Sequence, residues 1–386
     1  MRPFPSAAPQ RRFRRAALVV AVALAIAGRG SAQPAEQPSP QLAAFERARE
    51  RFAANDHAAV VGILVPFAGA KDVAPPLRTL LAASYLELGK AAEAAAVLAP
   101  VAASDQAGPP LLYQAARAAS ALGREDEAQG YLARASAMDP SSLAARTLGL
   151  HRAAAGDMRG ACALLQPYVA AHAADADARI GAAFCSIELD QQAAAEALLR
   201  ELPADEPRAR VMRARLALLR GQPYEAIAQL EPIAKAPPPE IAYELRRNLA
   251  EAWIEVGKAQ AAADLLARHA GGDPQLALLL ARARAQAGDP EGVIAAVAPF
   301  VAQLTTVEPP APALRPMLAQ LALHWGRALL DRQRFGDAVP ALTAATRLAP
   351  EDAPSWQALV QALRGAGRRE EAEAALARLR AVAGKG

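Results

Sequence analysis

A chain of 386 residues is long enough for two or three domains, yet its composition points to one kind of architecture. Apolar residues make up 53% of it and aromatics only 4%, so alanine and leucine supply the apolar surface; both are strong helix formers, sheet-forming runs are scarce, and the expected class is all-α. The formal charge of +4 sits at the N-terminus: residues 1–32 hold six arginines and no acid, the remainder carries −2, and net charge gives no reason to expect nucleic acid as a partner.

The first predicted element is a signal peptide over residues 1–32. Arg11, Arg12, Arg14 and Arg15 form a positive n-region, Ala16 to Ala27 is an uncharged apolar stretch, and Gly30-Ser31-Ala32 offers small residues for cleavage. The stretch has 12 residues against the roughly 20 that a membrane helix needs, so no stable span is expected after cleavage. No cysteine follows it for lipid attachment, and the paired arginines lack a twin-arginine context. The expectation is general export, to the periplasm or beyond. Residues 33–40, from which Pro34 to Pro40 stand out, read as a flexible lead-in.

From residue 41 onward the chain repeats itself. Asn55, Gly89, Gly123, Gly156, Asp190, Gly221, Gly257, Gly288, Gln333 and Gly367 each end one helical stretch and precede another, at spacings of 34, 34, 33, 34, 31, 36, 31, 45 and 34 residues. Glycine suits a tight helix–helix turn because it adopts left-handed backbone, which Asn and Asp also tolerate; Gln333 is the least typical of the set. Seven residues before the turn a small residue recurs, at Ala48, Ala82, Ala116, Gly149, Ala183, Ala214, Ala250, Ala281 and Gly326. Five after it the residue is again usually small, and nine after it comes a leucine or valine such as Leu98, Leu165 or Leu342. This pattern lets two antiparallel helices meet closely while the larger residue fills the space beside them. Ten hairpins are predicted, starting near residues 41, 75, 109, 142, 176, 207, 243, 274, 319 and 353.

Five second helices carry proline eleven residues after the turn, at Pro66, Pro100, Pro167, Pro232 and Pro299, and should kink or shorten there. The eleven extra residues between the eighth and ninth hairpins include Pro309, Pro310, Pro312 and Pro316. The expected layout is repeats 1–8 over 41–308, a proline-rich linker over 309–318, and repeats 9–10 with a charged C-terminal cap over 319–386.

These residues resemble the tetratricopeptide repeat family. The best matches are Trp356, Leu359, Gly367, Ala372 and Leu376; Trp325-Gly326 with Phe335, Ala338, Leu342, Ala345 and Pro350; and Ala116, Gly123, Ala128, Leu132, Ala135 and Pro140. The resemblance spans about residues 41–386 and implies a right-handed superhelical solenoid of about ten antiparallel helix–turn–helix repeats. It also implies that the first helices line a concave groove where partners lie, in exported relatives often within secretion or exopolysaccharide-export assemblies.

No cluster points to catalysis. His57, His151, His172, His269 and His324 lack the i, i+4 spacing of a helical metal site, and no HExxH, CxxC, phosphate loop or nucleophile elbow occurs. The acidic pair Glu251 and Glu255 shares a helix face, as solvated carboxylates commonly do. Neither enzyme activity nor a cofactor or metal is expected. Cys162 and Cys185 fall on helices that should be neighbours; two readings stand, a disulfide or a pair of small buried hydrophobes pointing apart.

The one suggestive pattern is arginine. Six residues before the turn, Arg49, Arg117, Arg215, Arg282 and Arg327 share a position that the resemblance places on the groove, with Arg146 and Arg247 one helical turn earlier. Guanidinium forks there would grip a protein partner's carboxylates or an anionic polymer. A plain helix face, arginine stems over apolar surface with nearby acids such as Glu46 and Glu251, is the alternative. The asparagines and lysines with which some tetratricopeptide domains clamp chaperone C-termini have no counterpart beyond Asn55 and Asn248. The expected function is an exported scaffold for protein–protein interaction, or for an extended anionic partner; a structural or oligomerising role without a groove ligand is the alternative.

Overall fold

Helix-forming composition and ten turn signals produce what they predict. The computed structural model describes residues 39–69, 73–306 and 310–384, and among these there is helix and no strand. The segment expected to be a signal peptide and nearly all of the expected lead-in lie outside the described residues. Ser39 caps the first helix, accepting from the Leu42 N–H at 3.3 Å, and Pro40 takes the first helical position, where its missing N–H costs nothing.

The chain divides into two compact units between Leu202 and Pro203. Unit 1 holds five hairpins: α1 (Pro40–Ala53) with α2 (His57–Ala68), α3 (Pro75–Glu87) with α4 (Ala91–Ala102), α5 (Pro109–Ala121) with α6 (Glu125–Met138), α7 (Leu143–Ala155) with α8 (Met158–Ala171), and α9 (Ala176–Glu188) with α10 (Gln192–Arg200). Unit 2 pairs α11 (Pro207–Leu219) with α12 (Pro223–Leu230), α13 (Ala242–Glu255) with α14 (Ala259–Leu266), and α15 (Pro274–Gln286) with α16 (Pro290–Val297). A short α17 (Val301–Thr305) follows, then α18 (Arg315–Asp331) with α19 (Phe335–Leu348) and α20 (Ala353–Gly365) with α21 (Arg369–Ala383).

Each turn residue is left-handed. All seven glycines have φ between 66° and 87°, and Asn55, Asp190 and Gln333 reach 58°, 57° and 56°. Gln333 is held there although its side chain disfavours that backbone. The small residues seven before the turn are buried throughout, as are Ala94, Ala128, Ala161, Ala195, Ala226, Ala262, Ala338 and Ala372 five after it. Where the first of these positions is glycine, the partnering leucine moves in. A Cβ on Gly149 would lie 2.7 Å from Leu165 Cγ, and one on Gly326 would overlap Leu342.

Within each unit the first helices pack side by side, α1, α3, α5, α7 and α9 in unit 1 and α11, α13, α15, α18 and α20 in unit 2. Except for α10 and α21, the last of each unit, each second helix packs between its own first helix and that of the next hairpin. The result in each unit is a continuous layer of first helices with one face left to solvent.

The prolines act in two ways. Pro66, Pro100 and Pro167 stay inside α2, α4 and α8, whereas Pro232 and Pro299 end α12 and α16 early, each followed by a turn of 3-10 helix. A buried arginine, Arg78, and a half-buried one, Arg210, meet this feature from the first helix. Arg78 Nη1 donates to the Val97 carbonyl (3.1 Å) and Arg210 Nη1 to that of Gln229 (3.3 Å); both arginines lie eleven before their turn and both acceptors three before a proline. A proline displaces the preceding turn and leaves carbonyl lone pairs accessible to such donors.

The proline-rich insertion differs from the expected linker. Its second half is helical: Pro312–Leu314 form a 3-10 turn and α18 begins at Arg315, with Pro316 in the first turn where proline is tolerated. Helices α15 and α16 both pack on α18 across it, and Arg347 Nη2 donates to the Leu304 carbonyl at 2.9 Å. The stack is therefore continuous through this segment, and the division of the chain falls at residue 202 instead. At the far end α21 buries only Ala372 and Ala375 fully, as a polar terminal cap should.

Candidate partner-binding face

The open face of each first-helix layer is where the arginines at the shared position lie, and most of them are already engaged. In unit 1, Arg49 pairs with Glu46 on its own helix at 3.1 Å. Arg117 on α5 reaches back to Glu87 on α3 at 2.8 Å and also donates to Gln114 at 3.0 Å. Arg146 on α7 reaches forward, binding Asp175 through Nε at 2.6 Å and Asp177 at 3.2 Å. The Arg117 and Arg146 contacts tie successive hairpins together.

The Arg146 contact is the most built of them. Asp175 caps α9, accepting from the Ala178 N–H at 3.0 Å, and also takes the Tyr168 hydroxyl at 3.1 Å. Burial alone would raise the Asp175 carboxyl, but the Arg146 guanidinium and the Ala178 N–H hold it below the usual carboxylate range. Burial and the adjacent carboxylate push the Tyr168 hydroxyl up to about 12. His172 stacks on Tyr168 with ring centroids 4.5 Å apart, and its Nε2 lies 2.8 Å from the Ser141 carbonyl.

The same pair of hairpins is joined covalently. Cys162 on α8 and Cys185 on α9 are bonded with a Cα–Cα separation of 5.7 Å, which resolves the two readings in favour of the disulfide. Cys162 stands six after its turn and Cys185 five before the next, and those positions face each other where a second helix meets the following first helix.

In unit 2, Arg215 on α11 is half-buried and already engaged. Arg247 on α13 binds Glu244 at 2.7 Å and donates to Asn248 at 3.2 Å. Arg282 on α15 and Arg327 on α18 differ: among the described residues neither forms an ion pair or side-chain hydrogen bond. Both act on His324, three residues before the shared site on α18. Burial first, then Arg327 and Arg282, lowers this imidazole to about 4. On the other side of Arg282, Glu255 is raised by burial and by Glu251, and Arg282 offsets part of that.

The seven arginines therefore do not form one free cationic stripe. Four are paired and one is engaged, because acids stand within reach on the same or the neighbouring hairpin. Among the described residues no group of three His, Cys, Asp or Glu is placed to hold a metal ion, and no helix is long and apolar enough to cross a membrane. A cleft of about 320 Å³ among α4, α5 and α6 is lined mainly by alanines, including Ala92, Ala95 and Ala99, with Leu122 and Tyr131 at its edge. Its titratable groups are Arg124, Glu127 and Tyr131; the Tyr131 hydroxyl already donates to Glu127.

The architecture defines a helical-hairpin repeat protein whose exposed first-helix layer is suited to protein–protein interaction. Residues 329–385 match the tetratricopeptide repeat family model. The matched segment runs from the end of α18 through α21, and the same kind of helical hairpin recurs along both units. A comparison with curated proteins finds no match. Among solved structures the chain is similar to a tetratricopeptide repeat protein from Parabacteroides merdae ATCC 43184, with 15% identity, 66% of this chain and 98% of that one covered, and a TM-score of 0.45. It is also similar to PilW, a widely conserved type IV pilus biogenesis factor, with 22% identity, coverages of 54% and 98%, and a TM-score of 0.39. A third similar structure is that of Naa15/Naa10 bound to HypK-THB, with 13% identity and a TM-score of 0.38; 90% of this chain is covered, and it spans 64% of the length of the chain it matches.

Proposed function

We propose that this protein is an exported scaffold of a bacterial cell envelope that holds a protein partner along its first-helix face. The observation that carries this reading is the layer itself: five first helices side by side in each unit, one face open, with polar side chains recurring at one position on it. Such a layer offers an extended surface with no catalytic cluster among the described residues, which suits binding rather than chemistry. Export is supported by the arginine-flanked apolar stretch before residue 32 and by the Cys162–Cys185 bond, a feature of oxidising compartments.

Two experiments test it. After fractionation, the N-terminus of the endogenous protein is sequenced: a start near Gln33 in the envelope or medium supports export, and an intact Met1 in the cytoplasm sinks it. The mature protein is then used as bait on envelope extract beside an Arg117→Ala, Arg215→Ala, Arg282→Ala triple variant. Loss of a wild-type partner in the variant supports the face, and equal recovery argues against it. Assembly of the mature protein into higher oligomers by light scattering, with no partner captured, would favour the structural alternative.

A further inference from the structure

The unpaired arginines of unit 2 sit beside an acidic edge, and the two together select a kind of partner. Arg282 on α15 and Arg327 on α18 occupy the same position on adjacent packed helices, and Arg327 is exposed. Their counterparts on α1 and α5 are ion-paired at 3.1 Å and 2.8 Å; these two are not. The acid one turn beyond Arg327, Asp331, is exposed and forms no pair with it. On α13, the helix before α15, the equivalent position is Glu251, and Glu255 follows one turn later. The face thus passes from carboxylates on α13 to guanidiniums on α15 and α18 across three neighbouring helices.

We infer that this part of the first-helix face binds a polypeptide segment of mixed charge, its acidic residues over Arg282 and Arg327 and its basic residues over Glu251 and Glu255. The inference rests on the proposed partner-binding face and names the chemistry of what it holds. A uniformly anionic polymer is disfavoured, because continuing across the layer it would meet Glu251 and Glu255 with like charge, whereas a peptide alternates its charges residue by residue. Two guanidiniums without acid partners keep their donors for carboxylates, to which they offer planar, bidentate contacts. His324, on which Arg282 and Arg327 act from α15 and α18, stays neutral at physiological pH and adds no charge of its own.

The test uses the mature protein and three fluorescent probes: Lys-Lys-Gly-Gly-Glu-Glu, Glu-Glu-Gly-Gly-Glu-Glu, and an oligogalacturonate. The mixed peptide should bind most tightly, and Arg282→Gln with Arg327→Gln should weaken it at least tenfold, with circular dichroism confirming an intact helix. Glu251→Gln with Glu255→Gln should weaken the mixed peptide and strengthen both all-anionic probes. Saturation with the mixed peptide should move the His324 imidazole, followed by NMR, back toward the ordinary histidine range as carboxylates offset the two arginines. Unchanged affinity in the arginine variant overturns the inference, as does oligogalacturonate binding as tight as the mixed peptide, which would assign the face to an acidic polysaccharide. If the probes do not discriminate while the alanine triple variant still loses its envelope partner, only the charge assignment falls and the binding face stands.

Discussion

The ten left-handed turn residues allow a prediction with opposite signs at two sites. No atom lies within 4 Å of a Cβ built on Gly123, so Gly123→Ala changes only backbone energetics. Holding an L-residue left-handed costs about 1–2 kcal/mol, and the stiffer unfolded chain returns about 0.4–1 kcal/mol. The net loss should be about 1 kcal/mol in unit 1. Gln333 already bears that cost at φ 56°, so Gln333→Gly should stabilise unit 2 by a similar or somewhat smaller amount. For units of this size, about 1 kcal/mol moves a melting midpoint by roughly 2–4 °C. The three tryptophans, Trp253, Trp325 and Trp356, all lie in unit 2, so fluorescence follows Gln333→Gly while circular dichroism follows both. A lower fluorescence midpoint for Gln333→Gly, or no loss for Gly123→Ala, would refute the reasoning.

Other consequences follow from the same packing. Replacing Cys162 and Cys185 with serine opens a loop of 23 residues' separation and should cost about 3 kcal/mol on the loop-entropy relation, read as a lower urea midpoint that reducing agent reproduces in the wild type. Gly326→Ala would drive a methyl into Leu342 and should cost about 1–3 kcal/mol; adding Leu342→Ala should make the double variant less unstable than the sum of the two changes, and strict additivity would count against the contact. His324 is lowered from 6.5 to about 4, so its contribution to stability is present above pH 6.5 and lost as pH falls toward 4. The expected slope is at most about 1.4 kcal/mol per pH unit, and His324→Gln should flatten it in acid unfolding curves.

Much of this was legible because the repeat is local. A turn residue, a small residue seven before it and a leucine nine after it are fixed by helix geometry, so hairpin starts fall within about one residue of expectation except at α18. There Pro316 resembles a linker residue but serves as the first turn of a helix, a position at which proline is at home. Which of the arginines are engaged was less legible, for a different reason. The acids that engage Arg117 and Arg146 stand 30 residues upstream and 29 to 31 downstream, close to one repeat away, and only the stacking of hairpins brings them together. A search for opposite charges offset by one repeat would have found both pairs. The struts from Arg78 and Arg210 to carbonyls before Pro100 and Pro232 were legible in principle, since arginine and proline recur at fixed offsets from the turn. The disulfide needed three-dimensional facing that spacing alone does not give.

The central claim is that partners lie on the first-helix layer. A photo-crosslinking residue placed at Gln286 on α15 or Gln361 on α20, exposed positions of that layer, is compared with the same residue at Glu373 on α21, a second helix. In cells, a discrete adduct from Gln286 or Gln361 and none from Glu373 is the predicted result. An adduct confined to Glu373 would contradict the account.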